Sequence, residues 1–274
     1  MPEVEVPDGR VFYAATGAGP AVTLLHGFTQ ASRSWAEVIA LLPGYRCLAP
    51  DIRGHGRTDL RPGAPHTMDA CLADLEAVWA AEGAEQSHLV GYSMGGRLAL
   101  HAATHRPDLL VSLVTVGAHA GLDPETAQRR RGGDEQLAAR IEQRGVTEFV
   151  RYWAGLPLFR GLDRRGPAFR AALDAERRRN TSAGLAASLR GMGAGAMEPV
   201  WDRLPQVACP CLFVAGAEDH GYAHEARRLA AAVPNGRVEI VPRAGHAVQL
   251  ERPQAFVTLL REHLSRAGSR LETA

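Results

Sequence analysis

The sequence predicts an α/β fold, with a mostly parallel sheet, helices on both faces and an inserted helical cap. Short apolar runs that end in polar or glycine-rich turns alternate with segments of helical spacing. That alternation is typical of a parallel sheet covered on both sides. It stops between about 121 and 203, where helix-like stretches are separated by Pro and Gly. The 274 residues suffice for one large core with such an insertion.

The predicted core strands are AVTLLHGF (21–28), YRCLAPD (45–51), SHLVGYS (87–93), LVSLVTVGA (110–118), CPCLFVAGAED (209–219) and GRVEIVPRAGH (236–246). Segments such as SWAEVIALL and TMDACLADLEAVWAAEG have the apolar spacing of helices. The first residues, PEVEVPDGRVFYAATG, predict an antiparallel hairpin at the sheet edge. We therefore predict a core of residues 1–120 and 204–274 and a cap of residues 121–203.

The predicted cap carries a concentrated positive charge. Its helix-like stretches lie near 123–144, 146–155, 166–178 and 181–192. From Arg129 to Arg190 there are fourteen arginines and seven acidic residues, whereas the whole chain has a net charge of +1. Most of these arginines fit a solvated helix surface. A positive cap over a cleft also suits an anionic substrate.

Composition excludes several classes of function. The chain contains no lysine, which excludes a Schiff-base lysine, a pyridoxal-phosphate enzyme and a Walker A site. Its four cysteines fit no zinc spacing, and we predict reduced thiols, no metal and no cofactor. The near-neutral charge and the absence of a long apolar run predict neither a nucleic-acid nor a membrane partner. No signal-peptide pattern is visible, so we expect a cytoplasmic monomer or weak homo-oligomer.

The segment HLVGYSMGGRLAL (88–100) places Ser93 between a predicted strand and a predicted helix. It fits the G-x-S-x-G nucleophile elbow, a tight and strained turn that exposes the serine hydroxyl. Gly91 and Gly95 are small enough for neighbouring backbone to approach the turn. The helix N-terminus favours developing negative charge beside the serine. We therefore predict that Ser93 is the catalytic serine.

A catalytic serine needs a base and an orienting acid, and in this kind of fold they follow in the order acid, then histidine. Asp219 follows the run CLFVAG, and His246 follows VEIVPRAG. Both therefore stand at the carboxyl ends of predicted strands, the same edge as Ser93. Glu218 competes as the acid, but Asp219 is the better choice because it is the third residue after Gly216. His220 and His224 compete as the base, but neither follows a strand and a glycine turn. We therefore predict Asp219 and His246 as the partners of Ser93.

An oxyanion is usually stabilised by two backbone N–H groups in such a site. We predict the N–H of Met94, directly after the serine, and the N–H of Phe28, in the loop after an early strand. His26 in the same loop is expected to shape the loop rather than to catalyse. The turn DIRGHGRT (51–58) is expected to frame the site, with His55 as a structural residue.

With these residues in place, the sequence resembles the α/β-hydrolase superfamily over its whole length. The motifs that carry this resemblance are LLHGF, DIRGHGRT, GYSMGG, GAED and AGH. A narrower set is similar to the menaquinone-pathway 2-succinyl-6-hydroxy-2,4-cyclohexadiene-1-carboxylate synthases, the MenH family. This set comprises GYSMGGR, GLDPETAQRRRGGDEQLA, YWAGLPLF, ERRRNTSAGLAASLRGMGAG and EPVW, and SLRGMG followed by PVW is its most specific part.

The resemblance implies a lyase that removes pyruvate from a cyclohexene carboxylate bearing succinyl and enolpyruvyl groups, with the triad serine acting as base. Its substrate carries several carboxylates, so the family needs arginines in its pocket. The substrate-binding residues implied here are Arg97, Arg130, Arg177, Trp153 and Tyr92. Arg131 stays an alternative to Arg130, because the chain is one residue short between Gly121 and Asp134.

Two other classes of function compete with this interpretation. A serine esterase or C–C bond hydrolase would use the same triad with an apolar acyl pocket instead of converging cations. A non-catalytic binding protein would be expected to lose part of the triad, whereas this chain has a candidate residue for each of the three triad positions. A dehalogenase or epoxide hydrolase would need a carboxylate where Ser93 stands.

Overall fold

In the computed structural model, residues 2–271 are described, with side chains through residue 268. Met1 and residues 272–274 of the predicted core lie outside this range. The strands are β1 (Glu3–Val6), β2 (Gly9–Thr16), β3 (Ala21–Leu25), β4 (Arg46–Pro50), β5 (Asp59–Leu60), β6 (Ser87–Tyr92), β7 (Leu110–Val116), β8 (Cys211–Gly216) and β9 (Gly236–Val241). The α-helices are α1 (Ala36–Ala40), α2 (Met68–Ala81), α3 (Met94–His105), α4 (Pro124–Ala154), α5 (Pro167–Arg177), α6 (Ser182–Met192), α7 (His220–Ala232), α8 (Val248–Glu251) and α9 (Pro253–Leu271).

Within the described residues, nine strands form one sheet in the order β1-β2-β4-β3-β6-β7-β8-β9, with β5 paired to β2. The six strands from β4 to β9 along this order pair in parallel, while β2 is antiparallel to both β1 and β4. The mostly parallel sheet and the edge hairpin are therefore confirmed. The two-residue β5 was not predicted, because it is too short to leave a periodic pattern.

Alternate residues of the central strands supply two separate apolar cores, one on each face of the sheet. In β8, Phe213 belongs to the cluster that contains Leu98 of α3, whereas Val214 belongs to the cluster that contains Phe256 of α9. All four side chains are almost fully buried. Burial of one such side chain stabilises the fold by about 1.5–3 kcal/mol. Burial on both faces explains why these strands read as continuous apolar runs.

The secondary-structure elements between β7 and β8 are all helices, as the sequence predicts. They comprise α4, a 3₁₀ segment at Pro157–Arg165, α5, α6 and a second 3₁₀ segment at Trp201–Gln206. The helix α4 is interrupted at Gly145, whose φ of 80° and ψ of 164° suit glycine and stop the regular helix. The predicted helix-like stretches end at 144 and resume at 146, on either side of this break. We call residues 121–203 the cap, and their independence as a domain stays a prediction.

The two ends of the cap meet where it leaves the sheet. The backbone N–H of Val200 donates to the carbonyl oxygen of Ala120 at 2.8 Å. The indole N–H of Trp201 donates to the carbonyl oxygen of Gly121 at 3.1 Å. Inside the cap, α4 and α6 share a small apolar cluster that includes Phe149. None of the described helices is long and apolar enough to cross a membrane.

Candidate active site

The elbow at Ser93 joins the end of β6 to the start of α3. Ser93 has φ 52° and ψ −108°, a conformation that non-glycine residues rarely adopt. Its N–H donates to the carbonyl oxygen of Val116 on the neighbouring strand at 2.8 Å. A Cβ on Gly91 would collide with the backbone of Gly95, and a Cβ on Gly95 would collide with the carbonyl oxygen of Leu25. The two motif glycines are therefore required by close backbone approach.

The structure brings the three predicted triad side chains into one hydrogen-bonded series. Asp219 follows β8 and His246 follows β9, so both lie at the strand edge where Ser93 lies. The Nδ1 atom of His246 lies 2.7 Å from Oδ2 of Asp219, and its Nε2 atom lies 3.0 Å from Oγ of Ser93. Since a carboxylate only accepts, Nδ1 carries the proton and Nε2 is free to accept the serine proton. This geometry suits general-base activation of a serine.

The competing residues lie elsewhere. Both carboxylate oxygens of Glu218 accept from the Arg164 guanidinium, at 2.7 and 2.6 Å. The side chains of His220 and His224 are exposed on α7. The hydrogen-bond geometry therefore agrees with the choice of Asp219 and His246 over these competing residues.

The two predicted oxyanion donors lie beside the serine. Met94 is the first residue of α3, where a backbone N–H has no acceptor within its own helix. The loop after β3 approaches from the other side, since a Cβ on Gly27 would lie 3.5 Å from the Cβ of Ser93. Phe28 and Met94 both line the cavity above Ser93. Their role as oxyanion donors stays a prediction.

His26 and His55 support this loop from below. One ring nitrogen of His26, Nδ1, donates to the carbonyl oxygen of Gly27 at 2.9 Å, and Nε2 accepts from the N–H of Ile52 at 2.9 Å. Burial lowers the pKa of His26 to about 4, so the ring is neutral at pH 7. The ring of His55 lies edge-on to His26 and to Phe28, with centroids 5.1 and 5.6 Å apart. Both histidines are structural, as expected.

A cavity of about 300 Å³ lies between the serine and the cap. The core contributes Ser93, His246 and part of α3, and the cap contributes the side chains of Trp153, Phe159 and Leu189. The cap therefore covers the candidate catalytic residues with an apolar wall. A concave site that combines an apolar wall with a few polar groups is typical of small-molecule binding.

Arg97 is a buried cation in this cavity. Its residue is 8% exposed, and its Nη1 donates to the carbonyl oxygen of Met192 at 2.7 Å. No described carboxylate lies within ion-pair distance of its guanidinium. Burial lowers the pKa of Arg97 to about 10, which still leaves it charged at pH 7. A buried charge without a counter-ion is unfavourable unless a ligand supplies one.

The structure separates Arg130 from Arg131. Arg130 lines the cavity and donates from Nε to Oδ1 of Asp134 at 3.0 Å. Arg131 instead donates to the carbonyl oxygen of Gly195 at 3.0 Å and is not part of the described cavity wall. Of the two alternatives, Arg130 has the position that the resemblance implies.

Arg177 is not among the residues that line this cavity, and its predicted role in substrate binding stays a prediction. It is 1% exposed and donates to Asp174 at 3.1 Å. Its guanidinium lies 5.2 Å from the centre of the Phe159 ring, and Phe159 itself forms the cavity wall. Arg177 lines a neighbouring cavity that shares none of its described wall residues with the Ser93 cavity. Arg177 was selected because its spacing to Leu185 matches the resembling family, and that spacing could not show its contact with Phe159.

The two predicted aromatic residues both line the cavity. Tyr92 is buried, and its ring centroid lies 5.3 Å from that of His246. Trp153 packs edge-on against Phe28 with centroids 5.4 Å apart. Its indole N–H is buried and has no hydrogen-bond partner among the described residues. Trp153 therefore offers a donor to a bound ligand.

Two residues of the site were missed from the sequence. Tyr222, in the first turn of α7, lines the cavity and places its ring 4.6 Å from that of His246. Its position three residues after Asp219 was the available signal. Glu251 is a buried carboxylate beneath the His246 loop, and nothing in the sequence distinguished it from a surface acid. Among residues 2–271, no group of three or more His, Cys, Asp or Glu side chains is placed to hold a metal ion.

Comparison with known proteins agrees with this architecture. The family model described as alpha/beta hydrolase family matches residues 24–259. The chain belongs to the alpha/beta hydrolase family. A relative from Bacillus subtilis (strain 168), provisionally named 2-succinyl-6-hydroxy-2,4-cyclohexadiene-1-carboxylate synthase, is 35% identical to this chain. The match covers 96% of this chain and 97% of the relative. The synthase of that name from Serratia proteamaculans (strain 568) is 32% identical over 91% of this chain and 94% of its own.

Solved structures of alpha/beta hydrolases have the same fold as this chain. MenH from S. aureus has a TM-score of 0.89 and 25% identity, and the match covers 93% of this chain and 98% of the MenH chain. A thermophilic esterase from Thermogutta terrifontis, in a malate-bound structure, has a TM-score of 0.85 and 26% identity, covering 97% of this chain and 98% of its own. The predicted fold and the predicted family are therefore confirmed.

Proposed function

We propose that this chain is a carbon–oxygen lyase that eliminates pyruvate from 2-succinyl-5-enolpyruvyl-6-hydroxy-3-cyclohexene-1-carboxylate. The product is 2-succinyl-6-hydroxy-2,4-cyclohexadiene-1-carboxylate, an intermediate of menaquinone biosynthesis. The names of the sequence relatives, at 35% and 32% identity over nearly the whole chain, support this assignment. The likeness to MenH from S. aureus supports it as well.

The observation that carries the proposal is Arg97. A cavity for neutral acyl groups gains nothing from an arginine that is 8% exposed and lacks a carboxylate partner. A substrate with several carboxylates supplies the missing counter-charge. Arg130 at the same cavity adds a second cation, whose charge is shared with Asp134.

The triad supplies the proton transfer. Oγ of Ser93 takes a proton from a ring carbon of the substrate while His246 Nε2 accepts the hydroxyl proton, and Asp219 stabilises the resulting imidazolium. The electrons of the broken C2–H bond form the C2=C3 double bond, the existing C3=C4 double bond shifts to C4=C5, and the C5–O bond to the enolpyruvyl group breaks. The enolpyruvate takes up a proton and becomes pyruvate. No water is consumed, so the reaction is an elimination.

The remaining groups stabilise charge. The backbone N–H groups of Met94 and Phe28 are directed to the enolate-like oxygen that develops at the succinyl ketone. The helix N-terminus at Met94 favours that negative charge. The indole N–H of Trp153 is available for a further polar group of the substrate.

The alternative is a serine esterase or C–C bond hydrolase with the same triad. The apolar cavity wall formed by Trp153, Phe159 and Leu189 suits an acyl group. The structural likeness to an esterase favours this candidate too. In that case Ser93 would act as a nucleophile rather than as a base.

One experiment distinguishes the lyase from the hydrolase function. Purified protein is given the enolpyruvyl substrate, and released pyruvate is measured with a coupled dehydrogenase, beside p-nitrophenyl esters in the same preparation. We expect pyruvate release with a kcat/KM that exceeds the ester value, and loss of both activities in Ser93→Ala. Ester hydrolysis without pyruvate release would contradict the lyase proposal. The cytoplasmic location and the monomeric or weakly associated state stay predictions.

A further inference from the structure

A second cavity of about 510 Å³ lies on the cap beside the Ser93 cavity. We call it the vestibule, and its wall includes Arg129, Arg130, Gly133, Arg140, Tyr152 and Leu158. The two halves of α4, on either side of Gly145, form most of this wall.

The vestibule and the Ser93 cavity share part of their walls. Arg130, Asp134, Trp153 and Leu158 line both cavities. A molecule in the vestibule therefore lies next to the space above the serine. Of the four shared side chains, Arg130 is the one cation, and it is about half exposed.

The wall of the vestibule carries three arginines and one acidic residue, and each of the three arginines is ion-paired with one carboxylate. Arg129, Arg130 and Arg140 line it, and Asp134 is the one acidic residue in its described wall. The carboxylates paired with Arg129 and Arg140 are Glu125 and Glu148, and neither lines the vestibule. Cations concentrated at a concave surface raise the local concentration of anions and speed their association.

Two further features indicate that a ligand uses this space. Tyr152 and Leu158 are the exposed large hydrophobic residues of the described chain, at 42% and 37%, and both line the vestibule. Gly133 also lines it, within a helix, where glycine costs about 1 kcal/mol relative to alanine. A Cβ at Gly133, like one at Gly132 outside the wall, would meet no atom within 4 Å apart from the backbone of its own helix. Because Gly133 has no side chain, the vestibule is wider at this point.

We propose that the vestibule is a capture site for polycarboxylates, which binds the anionic groups of the substrate before they reach Arg97. The ring and the carboxylates of such a molecule match the apolar and cationic parts of the wall. The identity of the ligand rests on the proposed function. The capture site itself rests on the shared wall and the arginines.

Arg140 and Arg144 provide a matched pair for the test. Both lie near the same carboxylate, Oε1 of Glu148, at 2.8 and 3.5 Å. Both are on the first half of α4 and are substantially exposed, but only Arg140 belongs to the described vestibule wall. Either arginine can be replaced while Glu148 keeps the other partner. Arg140→Gln and Arg144→Gln therefore remove the same charge, and Arg140→Gln also removes a contact of the guanidinium with the Tyr152 ring, whose centre lies 4.6 Å away.

The first measurement is calorimetric binding of citrate, used as a tricarboxylate probe, to the wild type and both variants. At low salt we expect Arg140→Gln to raise the citrate Kd at least about 3-fold and Arg144→Gln to change it much less. The difference should shrink at roughly 0.5 M NaCl, because the ions screen exposed charges. Equal Kd values in both variants, or no measurable citrate binding to the wild type, would overturn the capture site.

A second pair of variants tests the shape of the vestibule instead of its charge. Gly133→Leu fills the vestibule and should weaken citrate binding, whereas Gly132→Leu, next to it on α4 but outside the described wall, should not. Equal effects of the two leucines would also overturn the proposal. These binding results do not depend on turnover, so a wild type that binds citrate but releases no pyruvate refutes the proposed function alone.

Discussion

Glu251 holds the backbone on both sides of His246. Its Oε2 accepts the N–H of Gly245 at 2.7 Å, and its Oε1 accepts the N–H of Ala247 at 3.1 Å. The Glu251 side chain is 1% exposed, and a Cβ on Gly161 of the cap would collide with its carboxylate. The position of the candidate catalytic histidine therefore depends on a carboxylate enclosed between core and cap.

We expect Glu251→Gln to lower both stability and turnover, since a carboxamide has a single acceptor oxygen and leaves one N–H unpaired. An unpaired buried donor costs about 1–3 kcal/mol. The free energy of unfolding in urea should fall by that amount, and kcat should fall while KM changes little. Glu262→Gln, at an exposed site on α9, is the control. Unchanged kcat in Glu251→Gln would show that Glu251 does not position His246.

The triad variants should behave as one unit. We expect Ser93→Ala, His246→Ala and Asp219→Asn each to lower kcat strongly, because each breaks the hydrogen-bonded series. The double variant Ser93→Ala/His246→Ala should lose little more than the worse single variant, as for groups that act together. Steady-state kinetics of pyruvate release check this. Near-normal turnover by Ser93→Ala on the enolpyruvyl substrate would refute the role of the serine as base.

Arg97→Ala should reduce kcat/KM for the enolpyruvyl substrate at least about 30-fold. Loss of one partner of a desolvated charge pair costs on the order of 2–5 kcal/mol, and about 1.4 kcal/mol corresponds to one decade. Arg97→Lys should also be harmful, because lysine lacks the planar fork of donors. Arg151→Ala, at an exposed cap arginine, should have little effect. If Arg97→Ala loses ester hydrolysis and pyruvate release equally, Arg97 supports the fold rather than the substrate.

Stability should fall in mild acid. Burial lowers the pKa of His26, His88 and His263 from 6.5 to about 4. Their neutral forms are required by the fold, so the unfolded chain takes up more protons below pH 6.5. The stabilisation is complete above that pH and is lost as the pH falls towards 4, by about 1.4 kcal/mol per pH unit for each histidine.

Urea unfolding at about pH 7.5 and about pH 5 measures this loss. His88→Asn should flatten the pH dependence, whereas His224→Gln, at an exposed site, should leave it unchanged. Equal free energies of unfolding at the two pH values would contradict the prediction.

The sequence was sufficient for the features that depend on local chemistry. The elbow at Ser93 needs glycine at two positions because neighbouring backbone approaches there, and that requirement is visible as a motif. Asp219 and His246 were identifiable because each directly follows a buried strand, and the ends of parallel strands meet at one edge. The break at Gly145 was visible as a glycine between two helical patterns.

Features that depend on side-chain direction could not be predicted from the sequence. The family resemblance implied a pocket role for Arg177 but could not show that Arg177 pairs with Asp174 and lies beside Phe159. Similarly, two adjacent arginines could be separated only by their partners, since Arg130 contacts Asp134 and Arg131 contacts Gly195. Both outcomes depend on residues that are distant in sequence or on which side of a helix faces the core.

The meeting of the two cap ends has an evolutionary consequence. Because Ala120 and Val200 are joined by a backbone hydrogen bond, about eighty residues leave and re-enter the sheet at nearly one point. An insertion of different length or charge could be grafted onto the same two anchor residues without moving β7 or β8. Divergence of substrate preference among relatives is then expected to be faster between these anchors than around Ser93, and chimaeras exchanged at this junction should fold.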